Sequence, residues 1–98
     1  MKIMVKIELV AQPENTEEVY LFFKRILPGT RNYEGCESAK ISRSTMEPYK
    51  YVLIEHWESS QHYLDYGEWR NRTGDFKVLR SMLFTEIDLQ ILEVLTDA

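Results

Sequence analysis

One cysteine, Cys36, is all the chain carries. An internal disulfide is therefore excluded, as is a metal site built from clustered thiolates. With no catalytic motif around it, Cys36 reads as a small buried strand residue and not as a nucleophile. Long apolar runs are also missing: nowhere do about 20 apolar residues follow one another, so no membrane-spanning helix is available. Met1 to Ala11 alternates charged with apolar residues, unlike the continuous apolar stretch of a signal peptide. A cytoplasmic location is the expectation. Basic charge is in deficit, twelve side chains against sixteen acidic ones for a formal charge of −4. Such a chain offers no broad positive field to nucleic acid or anionic lipid. The four glycines are scattered, and there is no G-x-G-x-x-G, P-loop lysine or H-E-x-x-H to suggest dinucleotide, nucleotide or zincin chemistry. His56 and His62 are the only histidines, and no third ligand stands at a metal-binding spacing from them, so no metal site is expected.

What is present is ordinary globular material. Of 98 residues, 44% are hydrophobic and 29% charged, enough for one core but not two, so residues 1–98 read as a single domain. From Lys2 to Ala11 the pattern has period two, with Ile3, Val5, Ile7 and Leu9 on one face, which predicts a half-buried strand. Asn15 with Glu18 three residues later has the form of a capping box. Val19, Phe22, Phe23, Ile26 and Leu27 then recur at helical spacing until Pro28-Gly29, where the helix is expected to stop. Cys36 to Arg43 and Tyr51 to Trp57 read as the strands of a hairpin around the polar turn Ser44 to Pro48. Ser59 or Ser60 caps a second helix fading at Thr73-Gly74, and Asp75 caps a further turn or two. A last strand spans Phe84 to Leu95, with a bulge expected where Ile91-Leu92 disturbs the alternation.

This order is the α+β, ferredoxin-like β-α-β-β-α-β arrangement, in which both helices cover one face of a four-stranded antiparallel sheet. On the opposite parity Met4, Val10, Leu92 and Val94 mix with Lys6, Glu8, Glu86 and Asp88. A face of that character commonly meets a partner sheet, so a homodimer is expected. RNA-recognition domains share the order, but their third strand carries a basic, glycine-containing aromatic motif. Here that strand reads Tyr51-Val52-Leu53-Ile54-Glu55-His56-Trp57, and RNA is not expected. Trp57, Tyr63, Tyr66, Trp69 and Arg70 gather at the hairpin's end and the second helix, with Arg31 from the first connection. They are either the wall of a pocket for a flat organic ligand or simply core filling.

The strings ILPGTRNYEGCESAKI, VLIEHW and HYLDYGEWRNRTGDF resemble the antibiotic biosynthesis monooxygenase family from about Ile26 to Leu83. Thr30-Arg31 with Gly35-Cys36, Glu55-x-Trp57, and Trp69-Arg70 with Thr73-Gly74 carry the resemblance. It implies a dimeric α/β barrel that oxygenates an electron-rich aromatic, such as a quinol or polyketide, with no flavin, haem or metal cofactor. Such a site needs a base and a donor to hold the anion formed. By the resemblance His62 is the candidate base, Arg70 or Arg31 the anion holder, and Trp57, Tyr63 and Trp69 the substrate wall. Tyr66 joins the catalytic set because many members have a histidine at that place on the second helix. A non-catalytic dimeric module binding a small aromatic ligand or another protein is the alternative, since fold alone does not make an enzyme.

Overall fold

The computed structural model describes residues 1–96, so the last two positions of the domain expected over residues 1–98 lie outside the described residues. Strands β1 (Ile3–Val10), β2 (Cys36–Arg43), β3 (Lys50–Trp57) and β4 (Asp88–Glu93) form one sheet in the order β2-β3-β1-β4. Every neighbouring pair is antiparallel. Helices α1 (Thr16–Arg31), α2 (Ser60–Thr73) and α3 (Asp75–Ser81) complete the ferredoxin-like α+β fold.

The period-two pattern decides which sheet face the helices take. On β3, Tyr51, Leu53, Glu55 and Trp57 are buried and the intervening Val52, Ile54 and His56 are half-buried. One core cluster joins Leu9, Leu53 and Tyr51 of the sheet to Val19, Phe22, Phe23, Ile26 and Leu27 of α1 and Leu79 of α3. A second joins Ile3, Val5 and Trp57 to Tyr63 and Tyr66 of α2. The other face carries Met4, Lys6, Glu8 and Val10 of β1 beside Leu92, Gln90 and Asp88 of β4, since Met4 pairs with Leu92 and Glu8 with Asp88.

Three local expectations are corrected. First, α1 does not stop at Leu27; it runs through Pro28 to Arg31. Proline forfeits one helical N–H bond, but the last turn is held by side chains from within the helix and from α2. Thr30, fully buried, donates to the Ile26 carbonyl at 3.3 Å, and Arg70 of α2 donates to the same carbonyl at 2.8 Å. Gly29 is not a cap: a Cβ there would stand 3.2 Å from the Arg70 guanidinium, so glycine lets α2 approach. Second, Asn15 (φ −107°, ψ 7°) makes no side-chain cap bond to the backbone. It is the last residue of a 3₁₀ turn, Pro13–Asn15, and its amide donates to the Glu18 carboxylate at 3.2 Å. Third, β4 is shorter than Phe84 to Leu95, and it pairs with β1 in unbroken register from Glu8↔Asp88 to Ile3↔Glu93, with no bulge at Ile91-Leu92. The sheet's register shift lies instead in β2, between Cys36 and Ser38.

That shift follows a sharp turn at Gly35, whose φ of +89° belongs to the left-handed region. A Cβ at this position would also overlap the His62 ring. Gly35→Ala is expected to lower stability by about 2 kcal/mol through backbone strain and displacement of His62. The measurement is the urea midpoint, and adding His62→Ala should recover only the part due to the ring, because the Cβ of residue 62 remains in the way. An unchanged midpoint would refute the reading.

Candidate functional site

Between the helices and the sheet lies a cleft of about 680 Å³, in the range of small-molecule sites. Ile7, Leu9, Leu53 and Glu55 form its floor on the sheet, and Phe23, Ile26, Leu27 and Thr30 of α1 form one wall. Tyr63 and Tyr66 of α2 and Phe76 and Leu79 of α3 close it further, while Asn71, Arg80 and Glu86 are polar lining groups.

Glu55 is the unexpected member of this lining. It occupies the inward parity of β3, flanked across the sheet by Val5 and Ala39, and is 2% exposed. Desolvation pushes its carboxyl up to about 7 against the partial opposition of a hydrogen bond from Trp57 and the charge of Arg70. Trp57, two residues along and on the same face, donates its indole N–H to Glu55 Oε1 at 2.9 Å. Among the described residues every fully enclosed side-chain nitrogen or oxygen has a hydrogen-bond partner. The second carboxylate oxygen has no protein partner among them, so it is not fully enclosed, and Glu55 is part of the cleft lining.

The α2 face toward the cleft comes from i, i+3, i+7 spacing, which puts Tyr63, Tyr66 and Arg70 on one buried stripe. Ser59 starts the helix, accepting from the His62 backbone N–H. Arg70 spends its guanidinium on protein: Nε donates to the Tyr66 hydroxyl (2.9 Å), Nη2 to the Ile26 carbonyl (2.8 Å) and Thr30 Oγ1 (3.2 Å), and Nη1 to Asp75 Oδ2 (2.9 Å). It also lies over the Trp69 ring at 4.3 Å. Burial alone would raise Asp75, but hydrogen bonds from Thr73 and Arg70 and the nearby charges of Arg70 and Arg25 hold its carboxyl below the usual range.

Tyr66 Oη and Thr30 Oγ1 are 2.6 Å apart. Either hydroxyl can be the donor of this bond, since Thr30 also lies within reach of the Ile26 carbonyl. Tyr66 thus lines the cleft with its hydroxyl already engaged by Thr30 and Arg70. Its phenol is raised by burial, with the bonds to Thr30 and Arg70 opposing. Tyr63 differs: it lines the cleft, and its hydroxyl makes no hydrogen bond to the described residues and is not fully enclosed. Burial, then the neighbouring Glu55 and Tyr66, push the Tyr63 phenol well above its ordinary value, so it stays protonated.

Of the residues expected at the site, Tyr63 and Tyr66 line the cleft. Trp57, wholly buried, packs behind them with ring centroids 5.8 Å and 5.0 Å from theirs. Trp69 stacks on Tyr33 at 5.2 Å, and Arg70 anchors the network just described. Neither His62 nor Arg31 is part of the lining. His62 Nδ1 is 2.7 Å from Ser59 Oγ, and its other nitrogen lies 4.0 Å from Glu58. Arg31 donates to the Ala39 carbonyl at 2.9 Å, tying α1 to β2. Cys36 is half-buried on β2 and raised to about 11 by desolvation and Glu55, hence a neutral thiol. No three His, Cys, Asp or Glu side chains among the described residues are placed to hold a metal ion. No helix among them is long and apolar enough to cross a membrane. Glu55 had a sequence signal, a charge on the buried parity of an otherwise apolar strand face.

Residues 2–73 match the family model for antibiotic biosynthesis monooxygenase. No curated protein sequence matches the chain. Among solved structures, the fold is similar to that of Rv0793 from Mycobacterium tuberculosis, with a TM-score of 0.91 at 16% identity over 100% of this chain and 99% of that one. A conserved protein from Methanosarcina mazei Go1 superimposes with a TM-score of 0.88 at 19% identity, covering 95% and 92% of the two chains. A mutant of SnoaB, a cofactor-independent oxygenase from Streptomyces nogalater, gives 0.85 at 12% identity over 97% and 94%. At such identities the likeness is one of fold.

Proposed function

Because the chain belongs to the antibiotic biosynthesis monooxygenase family, we propose that it oxygenates an electron-rich aromatic, quinol-like or polyketide-like, using dioxygen and no cofactor. The observation that carries this reading is the apolar cleft with one buried carboxyl on its floor. The walls take up a flat hydrophobic molecule, and the carboxyl gives the cleft an acid–base group where the ring would rest.

The chemistry asked of such a site is limited. A ring methylene or hydroxyl loses a proton, and the resulting anion passes one electron to dioxygen. The organic radical and superoxide combine in a new C–O bond, giving a peroxide that takes a proton back. For a methylene, the second C–H bond then breaks as the O–O bond cleaves. A carbonyl and one water leave, so CH₂ plus O₂ becomes C=O plus H₂O. The protein supplies orientation, a dry environment and proton handling.

Two copies of the chain are proposed to pair through the sheet face that bears Met4, Ile54 and Leu92 among Lys6, Glu8 and Asp88, whose mixed character suits a partner sheet. Light scattering should return the mass of a dimer; a monomer would refute the pairing. For the activity, pure protein is incubated with quinols and anthrones while oxygen is followed. Uptake well above the uncatalysed rate for at least one substrate is expected. Uptake at background across the whole panel would overturn the oxygenase reading, and tyrosine and tryptophan fluorescence quenched by the same compounds would then favour a binding module.

A further inference from the structure

We propose that Glu55 is the proton acceptor of the cleft and that the Tyr63 hydroxyl donates a hydrogen bond to the oxyanion formed when the substrate is deprotonated. This rests on the oxygenase reading for its substrate class but not for its geometry. The other candidates are occupied or elsewhere. The Tyr66 hydroxyl is already shared with Thr30 and accepts from Arg70. His62 is held by Ser59 outside the lining, and the Cys36 thiol is not part of it.

The two groups are complementary. Trp57 fixes one oxygen of Glu55 by its indole N–H and leaves the other without a protein donor in a side chain that lines the cleft. Trp57 is a positioning residue here: it does not line the cleft. Tyr63, whose hydroxyl has no hydrogen-bond partner among the described residues and is kept protonated by its surroundings, is a donor that a substrate oxygen can engage. A desolvated carboxylate beside a free O–H donor is what enolisation requires. The substrate C–H bond breaks, its electron pair moves into the ring system onto oxygen, and the proton goes to the free oxygen of Glu55. The same proton is available to the peroxide anion formed later.

The arrangement also selects the ligand. A permanently anionic substrate would meet the Glu55 carboxylate in a low-dielectric cleft. The preferred substrate is therefore a neutral, flat, enolisable or phenolic aromatic, inserted with its acidic end toward Glu55 and Tyr63.

Anthrone tests proton abstraction apart from oxygenation, because its methylene hydrogens exchange with solvent deuterium without oxygen. The intact protein is mixed with anthrone in D₂O under argon, and exchange is followed by mass spectrometry over a range of pH; oxygen uptake is measured separately in air. Catalysed exchange should rise as Glu55 ionises, and Glu55→Gln should slow it about 100-fold or more and abolish that pH limb. Tyr63→Phe should slow it about 10-fold to 100-fold while leaving the limb in place. Circular dichroism confirms that each variant is folded, and Glu55→Asp provides a shortened carboxylate that should keep the limb at reduced rate. Exchange that depends on Glu55 without oxygen uptake would sink the oxygenase reading and uphold Glu55 as the acceptor. Oxygen uptake with exchange unaltered in Glu55→Gln would do the reverse.

Discussion

Arg70→Met should lower the stability of the folded chain by about 3–5 kcal/mol, the range for removing one partner from a buried, hydrogen-bonded charge pair. Arg70 is only 5% exposed, and its three donating nitrogens bind four groups from α1, α2 and the start of α3: Ile26, Thr30, Tyr66 and Asp75. Methionine conserves much of the stem's apolar bulk, so the loss reports the guanidinium and not a cavity. Tyr66 would lose the Arg70 donor, and the Asp75 carboxylate, partly screened from water, would be left with Thr73 and a 3.5 Å pair to Arg25. For a domain near 100 residues that corresponds to a fall in Tm of roughly 15 °C or more. Arg70→Lys keeps the charge but lacks the planar fork, and should recover no more than about half of the loss. Urea unfolding decides it; a change in Arg70→Met below about 1 kcal/mol would mean that the network is incidental. Because Arg70 also fixes the Tyr66 hydroxyl, the variant should loosen the cleft wall without touching its floor.

The same residue explains why the fold was more legible than the site. Strand periodicity is a local signal, and Ile3, Val5 and Leu9, or Leu53 and Trp57, point inward as their alternation requires. The end of α1 is not local. Pro28-Gly29 is a sound stop signal by itself, overridden here because Thr30 and an arginine 44 residues beyond Ile26 satisfy its last turn. For β4, Phe84 to Ile87 keep the alternation of a strand, yet only Asp88–Glu93 pairs as one with β1. At the site, His62 is the base that sequence alone suggests, because its unperturbed pKa suits neutral pH. Burial makes an equally suitable group out of a carboxyl, and burial is a tertiary property. The identity of Glu55 on an inward parity was visible; the depth of its desolvation depended on helices that close over β3.

That desolvation has a thermodynamic signature of its own, and it predicts that Glu55→Gln will gain stability relative to the parent as pH rises to alkaline values. The folded-state value for Glu55, about 7, lies above the ordinary 4.5. Between these two values the unfolded chain has released its proton while the folded chain retains it. Unfolding therefore releases a proton, so stability falls as pH rises through this window and levels off above it. The separation corresponds to roughly 3 kcal/mol at about 1.4 kcal/mol per pH unit. Glutamine does not titrate, and its side-chain oxygen can still accept the Trp57 indole N–H. Housing its amide adds an offset that is the same at every pH. Asp75, held below its ordinary value, gives a slope of opposite sign at lower pH, but parent and variant share it and it cancels in their difference. Urea unfolding at pH 4.5 and at pH 8 should show the difference in stability, variant minus parent, increasing by about 3 kcal/mol. A difference that stays flat would show that Glu55 is already solvated and ionised, and would remove the physical basis for its role as a base. A variant gaining stability relative to the parent toward pH 8 while losing proton transfer is the trade expected where a fold tolerates a buried charge for the chemistry it performs.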